Sequence, residues 1–364
     1  MGENQTKYYK LMEFLKNEIL MGKIKPGEQM PSENTLAEDF SLSRHTVRKA
    51  LSMLQNEGYV YTEHGRGTYC FDRSRKRNDS KNIVVITTYI SEYIFPKVIQ
   101  GIDNVLSNNG YSIMLKNTNN NTEKEALYLE EILGKNIEGL IVEPTKSALY
   151  SNNLKYYEAL DNHKIPYIFI HGFYQQLEDK SHVVLDDTEG MRLAVEHLIS
   201  LGHKKIVGIF KADDIQGLNR HKGYAKALSE AGMLYEPDNV IWFHTEDKNI
   251  KPYSVIKHMI QIEEGIDAIA CYNDEIAFRV YELLNSIDIK VPEEISITGF
   301  DDSYFSSNCP VKITTVSHPK ERLGETAAEI LMHILNSDKT QGIPVQKVIV
   351  PELIIKESCN VRNY

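Results

Sequence analysis

A chain of 364 residues exceeds what one ordinary core organises, so two or three domains are expected. Hydrophobic residues at 41% and charged residues at 25% exclude a disordered chain, and no run of 18 apolar residues is present to span a membrane. The opening MGENQTKYYK lacks the apolar stretch of a secretory signal, so a cytoplasmic protein is expected. Four distant cysteines (Cys70, Cys271, Cys309, Cys359) form no CxxC pair, which excludes a zinc ribbon and leaves them as free, buried or half-buried thiols. The net charge of −10 hides an asymmetry. Residues 1–77 carry 13 Lys or Arg against 10 Asp or Glu, and the rest of the chain stands at −13. Only the N-terminal piece suits a polyanion.

Three helical patterns and a hairpin fill residues 1–71. Tyr8, Leu11, Leu15 and Ile19 keep helical spacing until Gly22. Pro26-Gly27 and Pro31 turn the chain, Ser32 offers an N-cap, and Leu36, Ala37 and Phe40 mark a short second helix. Ser41-Leu42-Ser43 separates it from a third, with Ser43 as cap and Val47, Ala50, Leu51 and Leu54 facing inward. Two helices joined by so short a break are a helix-turn-helix candidate. Tyr59–Tyr61 and Thr68–Phe71 then flank the tip His64-Gly65-Arg66-Gly67 as a hairpin. Residues 72–81, DRSRKRNDSK, read as a flexible polar linker.

From residue 82 onward, strand patterns at 83–87, 139–142, 167–170, 183–185, 206–210, 240–243, 268–271 and 295–300 alternate with amphipathic helices such as 97–107 and 190–200. Such alternation builds parallel sheets covered on both faces. Eight strands over 82–364 suit two Rossmann-like lobes, with a ligand between them at the C-terminal strand ends.

Arg44, His45, Arg48 and Lys49 cluster at the start of the third helical pattern, away from its apolar side. A recognition helix puts such N-terminal residues into the major groove, where arginine grips guanine O6 and N7 with two hydrogen bonds. His45 and Thr46 fit base edges or phosphates. Ser32 suits a phosphate oxygen, as does Lys7. His64 and Arg66 suit the minor groove, with Gly65 and Gly67 allowing close backbone approach. Glu33 stands oddly beside a polyanion.

The run PSENTLAEDFSLSRHTVRKAL, from Pro31 to Leu51, with LQNEGYVYTEHGRGTY after it, resembles the GntR family of bacterial regulators over nearly all of 7–71. The resemblance implies a winged-helix reader of double-stranded DNA. In such readers Glu33 accepts from a base or orients an arginine, and the latter is expected here.

Residues 82–360 resemble the effector domain of the LacI/GalR family and, beyond it, periplasmic sugar-binding proteins. The resemblance rests on Asn219–Tyr224, Ala270–Asp274, Ile295–Asp302 and Ile313–Val316 with His318-Pro319. It implies a multidomain chain: a winged helix-turn-helix (α+β) at 1–71, a linker at 72–81, and an α/β, periplasmic-binding-protein-like two-lobed domain at 82–364. A small sugar is the implied effector. Arg220, Asn273 and Asp301 then face it from the second lobe, and Phe95 packs on its ring. His171 stands where family members often place Asp, His318 where many have Gln, and Glu143 ends its own strand. Asp274 is expected as a helix N-cap, Trp242 and Phe243 as core.

A GntR reader on a LacI-type sensor resembles the family of arabinose-operon repressors. This implies a homodimer on a pseudo-palindromic operator, released by a small sugar, with L-arabinose first in line. Another sugar, a purine or a phosphosugar, and a corepressor sign, stay open. GxGxxG, Walker A, GxSxG and HExxH patterns are absent and the 12 histidines show no metal-ligand spacing. No metal, cofactor or catalysis is expected, a sugar-processing enzyme with a DNA-binding appendage being the other class to weigh.

Overall fold

The computed structural model describes residues 6–71, 80–91, 93–262, 265–337 and 343–362. Most of the expected linker, 72–79, therefore lies outside the described residues.

The N-terminal unit follows its sequence pattern. Helices α1 (Lys7–Leu20), α2 (Glu33–Asp39) and α3 (Arg44–Asn56) precede an antiparallel hairpin of β1 (Val60–Glu63) and β2 (Gly67–Cys70). Leu11, Leu15 and Ile19 of α1 close on Leu36 of α2 and on Val47, Ala50, Leu51 and Leu54 of α3, all buried. Both expected serine caps are made. Ser32 Oγ accepts from the Thr35 N–H (3.1 Å) and Ser43 Oγ from the Thr46 N–H (3.2 Å), satisfying donors that a helix start leaves orphaned.

The remaining chain forms two six-stranded α/β lobes. The first begins with β3 (Asn82–Thr87), α4 (Phe95–Asn108), β4 (Ser112–Asn117), α5 (Thr122–Leu133), β5 (Gly139–Val142), α6 (Leu154–Asn162), β6 (Tyr167–Ile170) and β7 (His182–Leu185). The second contains α7 (Asp187–Ser200), β8 (Ile206–Lys211), α8 (Ile215–Glu230), β9 (Val240–Phe243), α9 (Lys251–Ile262), β10 (Ala268–Cys271), α10 (Asp274–Ser286), β11 (Ser296–Phe300), α11 (Tyr304–Asn308) and β12 (Thr314–Val316). The chain then returns to the first lobe with α12 (Lys320–Asn336) and β13 (Gln346–Ile349), and ends in the second with β14 (Leu353–Ile354).

Strand order is β13-β7-β6-β5-β3-β4 in the first sheet and β14-β12-β11-β10-β8-β9 in the second. Every neighbouring pair is parallel except β12 with β14. Central strands β5, β6, β10 and β11 are buried along their whole length, as helices on both faces require. Gly101 and Gly324 let α4 and α12 cross backbone to backbone, since a Cβ on either would meet Glu321 O or Val98 O. Among the described residues, no helix is long and apolar enough to cross a membrane.

Beyond the strand patterns read from sequence, the structure adds β4, β12, β13 and β14, all at sheet edges or next to them. Phe243 is core, as expected; Trp242 is only half-buried, against His221. The α10 cap also differs from expectation. Asn273 is the N-cap, its Oδ1 accepting from the Ile276 N–H (3.0 Å), and Asp274 is the first helical residue. The reason is the fully buried Asp274 carboxyl, which is taken by the Ser303 N–H (2.6 Å) and the Thr315 hydroxyl (2.6 Å).

Candidate functional site

Two surfaces concentrate the chemistry. On the N-terminal unit, Arg44, His45, Arg48 and Lys49 are exposed on α3. Glu33, at the start of α2, receives Arg48 through two hydrogen bonds, Nε to Oε1 (3.1 Å) and Nη2 to Oε2 (2.9 Å). That fork orients the guanidinium, as expected, and holds the Glu33 carboxyl below its ordinary range. Lys49 lies with its ammonium 3.8 Å from the Tyr8 ring centroid, so an aromatic face guides it. Thr46 Oγ1 meets Ser43 Oγ at 2.8 Å, and Lys7 and Ser32 are exposed. At the wing, Gly65 and Gly67 adopt φ of +76° and +127°. Gln29 donates to the Arg66 carbonyl (2.9 Å), pinning the tip beside exposed His64 and Arg66. The arrangement presents cations and donors on one helix face and one wing, the shape of a groove-reading surface.

The second surface is the cleft between the lobes. It encloses a void of about 100 Å³, several times the roughly 10–15 Å³ that one water demands. Arg220, on α8, is its buried hub. Its Nε donates to Asp187 Oδ1 (2.8 Å), Nη2 to Asp301 Oδ1 (3.2 Å) and Nη1 to the Tyr272 carbonyl (2.7 Å), with the Phe300 ring 3.6 Å from the guanidinium carbon. Tyr93, from the first lobe, donates to Asp301 Oδ2 (2.7 Å) across the cleft. Opposite, Glu143 Oε2 accepts from Thr88 N (2.8 Å) and Oγ1 (2.7 Å). Tyr93, His171, Asp301 and Asp302 all hold left-handed backbone, a conformation non-glycine residues adopt at a cost and one that clusters at binding sites.

Burial controls the charges here. It pushes the Asp187 carboxyl up to about 7 against the pull of Arg220, and Asp274 likewise to about 7. It pushes on Asp301 too, yet the Arg220 guanidinium and its other cationic neighbours hold that carboxyl below the usual range. Burial draws His318 down to about 3, so its ring is neutral. Among the described residues, His171 Nε2 and His318 Nδ1 are buried without a hydrogen-bond partner.

Of the residues expected to meet an effector, Phe95, Glu143, Arg220, Asn273, Asp301 and His318 line this cleft. His171 stands one layer behind, its Nδ1 3.1 Å from Glu143 Oε1 and its ring beside those of Phe95 and His318. Tyr89, Tyr93, Lys211, Asp214 and Tyr272 also line it and were not anticipated. Lys211 and Asp214 flank the end of β8, a strand-end position that sequence reasoning had the means to flag. Tyr272 directly follows β10 and shares that signal, whereas Tyr93 carries none.

A model for bacterial regulatory proteins of the gntR family matches residues 7–70, and one for a periplasmic binding protein-like domain matches 195–359. An arabinose metabolism transcriptional repressor from Halalkalibacterium halodurans is 40% identical over 97% of this chain and 96% of its own length. Its counterpart from Geobacillus stearothermophilus is 39% identical over 97% of each. The chain belongs to the family of arabinose metabolism transcriptional repressors. The HTH-type transcriptional repressor PurR of Actinobacillus pleuropneumoniae is 30% identical over 80% of this chain and 84% of its own. Among solved structures, a transcriptional regulator CelR-cellobiose complex superposes with a TM-score of 0.67 at 20% identity, covering 90% of this chain and all of that one. A LacI family regulator from Enterococcus faecium with bound ribose gives 0.65 at 22%, covering 78% and 100%. These relatives and neighbours are transcription regulators.

Proposed function

We propose that this chain is a cytoplasmic, homodimeric repressor of sugar-utilisation genes, released from its operator by a small neutral sugar, with L-arabinose as the effector. Residues 1–71 are the reader, 72–81 the connection, and 82–364 the sensing and pairing domain. The observation that carries the choice of ligand is the pairing of the cleft's cations. Arg220 is matched by Asp187 and Asp301, Lys211 by Asp214 (3.0 Å), and Lys248 by Glu275 (3.6 Å). A phosphate wants unmatched cations. A sugar wants alternating donors and acceptors for hydroxyls that lose water on entry, plus an apolar face such as Phe95. The names of the relatives at 39–40% identity supply L-arabinose.

A purine is the second reading, favoured by the PurR relative alone. Calorimetry against pentoses, hexoses and purine bases separates them: heat with L-arabinose is expected, and heat with a purine alone reverses the assignment. Asp301→Ala is expected to bind operator yet ignore the sugar. A normal response in that variant removes Asp301 from the site.

A further inference from the structure

We infer that the outer face of the first lobe, between α5 and α6, is a docking surface for the chain's own reader, with His163 as its latch, engaged when the cleft closes. This rests on the repressor reading above. Helix α1 ends at Leu20, and the last carbonyls of a helix have no donor within it. His163 Nε2 lies 3.0 Å from both Ile19 O and Leu20 O. Carbonyls only accept, so Nε2 carries the proton and donates to the negative end of the α1 dipole. His163 is buried and is the residue that ends α6.

Around this latch the two units fit by shape. Leu20 is buried, and Gly22, at φ +72°, sits so close that a Cβ on it would fall 2.6 Å from Asn162 Nδ2. A few residues away the fit stops. A gap of about 460 Å³ opens between Glu13, Lys16 and Asn17 of the reader and Leu127, Glu130 and Lys135 of the lobe. The contact is thus uneven: apolar side chains of the reader and the lobe join one buried cluster around the latch, while the space between α1 and α5 is left unfilled.

The latch is tied to the cleft. Tyr157, on α6, donates to Glu125 Oε1 (2.6 Å), and the buried Glu125 carboxylate also accepts from Thr145 N (3.0 Å) and Tyr174 OH (2.6 Å). Thr145 lies two residues beyond Glu143 of the cleft wall. Next to it, Lys146 pairs with Glu246 of the second lobe, and its N–H donates to Asn120, whose amide donates to Thr245 Oγ1 (2.6 Å). Lobe closure therefore fixes segment 143–146, and Glu125 anchors that segment to the helix that ends in the latch. The face of α3 is exposed with the reader docked, so docking acts by setting where each reader points. Two readers pointing off-register do not span two half-sites.

The test uses the full-length chain as wild type, His163→Leu, which keeps bulk but removes the donor, and His163→Gln, whose amide restores one. Operator affinity is read by fluorescence anisotropy with and without saturating L-arabinose, sugar binding by calorimetry, and docking by hydrogen exchange of segments 19–24 and 160–165. Wild type and His163→Gln are expected to release DNA and protect both segments. His163→Leu is expected to bind sugar, exchange faster in both segments, and hold its operator affinity within about threefold when sugar is added. Release by His163→Leu at wild-type strength, or exchange as slow as wild type, overturns the proposal. A wild type deaf to L-arabinose overturns the functional reading instead; exchange is then read with the pentose, hexose or purine that gives heat in calorimetry, and His163→Leu exchanging as slowly as wild type there overturns the docking surface.

Discussion

Arg48 on the reader and Arg220 in the cleft are each gripped by carboxylates, in opposite surroundings. The Arg48 side chain is 71% exposed and that of Glu33 36%, whereas Arg220 is 4% exposed and its partners Asp187 and Asp301 3% and 4%. An exposed pair is screened by water and adds little stability, so Glu33 can aim Arg48 and still release it to a base. A buried pair cannot be given up, because either partner alone is an uncompensated charge in a poor solvent. One arginine is loosely held, as the proposed exchange with a base requires; the other is fixed in the wall of the proposed effector cleft.

Breaking each pair sharpens that contrast. Arg220→Met strands two buried carboxylates and is expected to cost about 3–5 kcal/mol of stability in urea melts, together with the sugar response. A variant as stable as wild type refutes the hub. Arg48→Ala is expected to leave the thermal midpoint and sugar binding unchanged while weakening specific operator binding roughly 10- to 100-fold. Undiminished affinity removes Arg48 from base reading. The smallest effect concerns pH. Burial holds the folded Asp274 carboxyl at about 7 against an ordinary 3.8, so between those values the folded chain keeps a proton that the unfolded chain releases. Stability contributed by this group is therefore full at the acid end and falls as pH rises through that window. Asp274→Asn, always neutral, is expected to flatten that slope, and an identical slope in both proteins contradicts the buried-acid account.

The reader was legible because its chemistry is local. Ser32, Glu33, Ser43, Arg44 and Arg48 lie within seventeen consecutive residues, and the caps and the Glu33–Arg48 fork follow from that spacing. The cleft was legible where a polar residue directly follows a buried strand, as Asp301 follows β11 and Glu143 follows β5. It was illegible where tertiary structure brings in a partner. Asp187 reaches Arg220 from another helix, and Tyr93 reaches Asp301 from the other lobe. Edge strands were missed for a related reason. The residues of β13 are exposed or half-exposed and those of β4 only partly covered, so neither shows the apolar run that marks an interior strand. The Asn273 cap was misread because the neighbouring Asp274 is a better capping residue on paper, and only burial beside Ser303 and Thr315 gives it other partners.

Coupling between the two surfaces is tested most directly by the affinity of the full-length protein for a two-half-site operator, measured with and without saturating L-arabinose. A loss of about 5- to 150-fold on adding sugar is predicted. Affinity that stays constant, or tightens, contradicts the account.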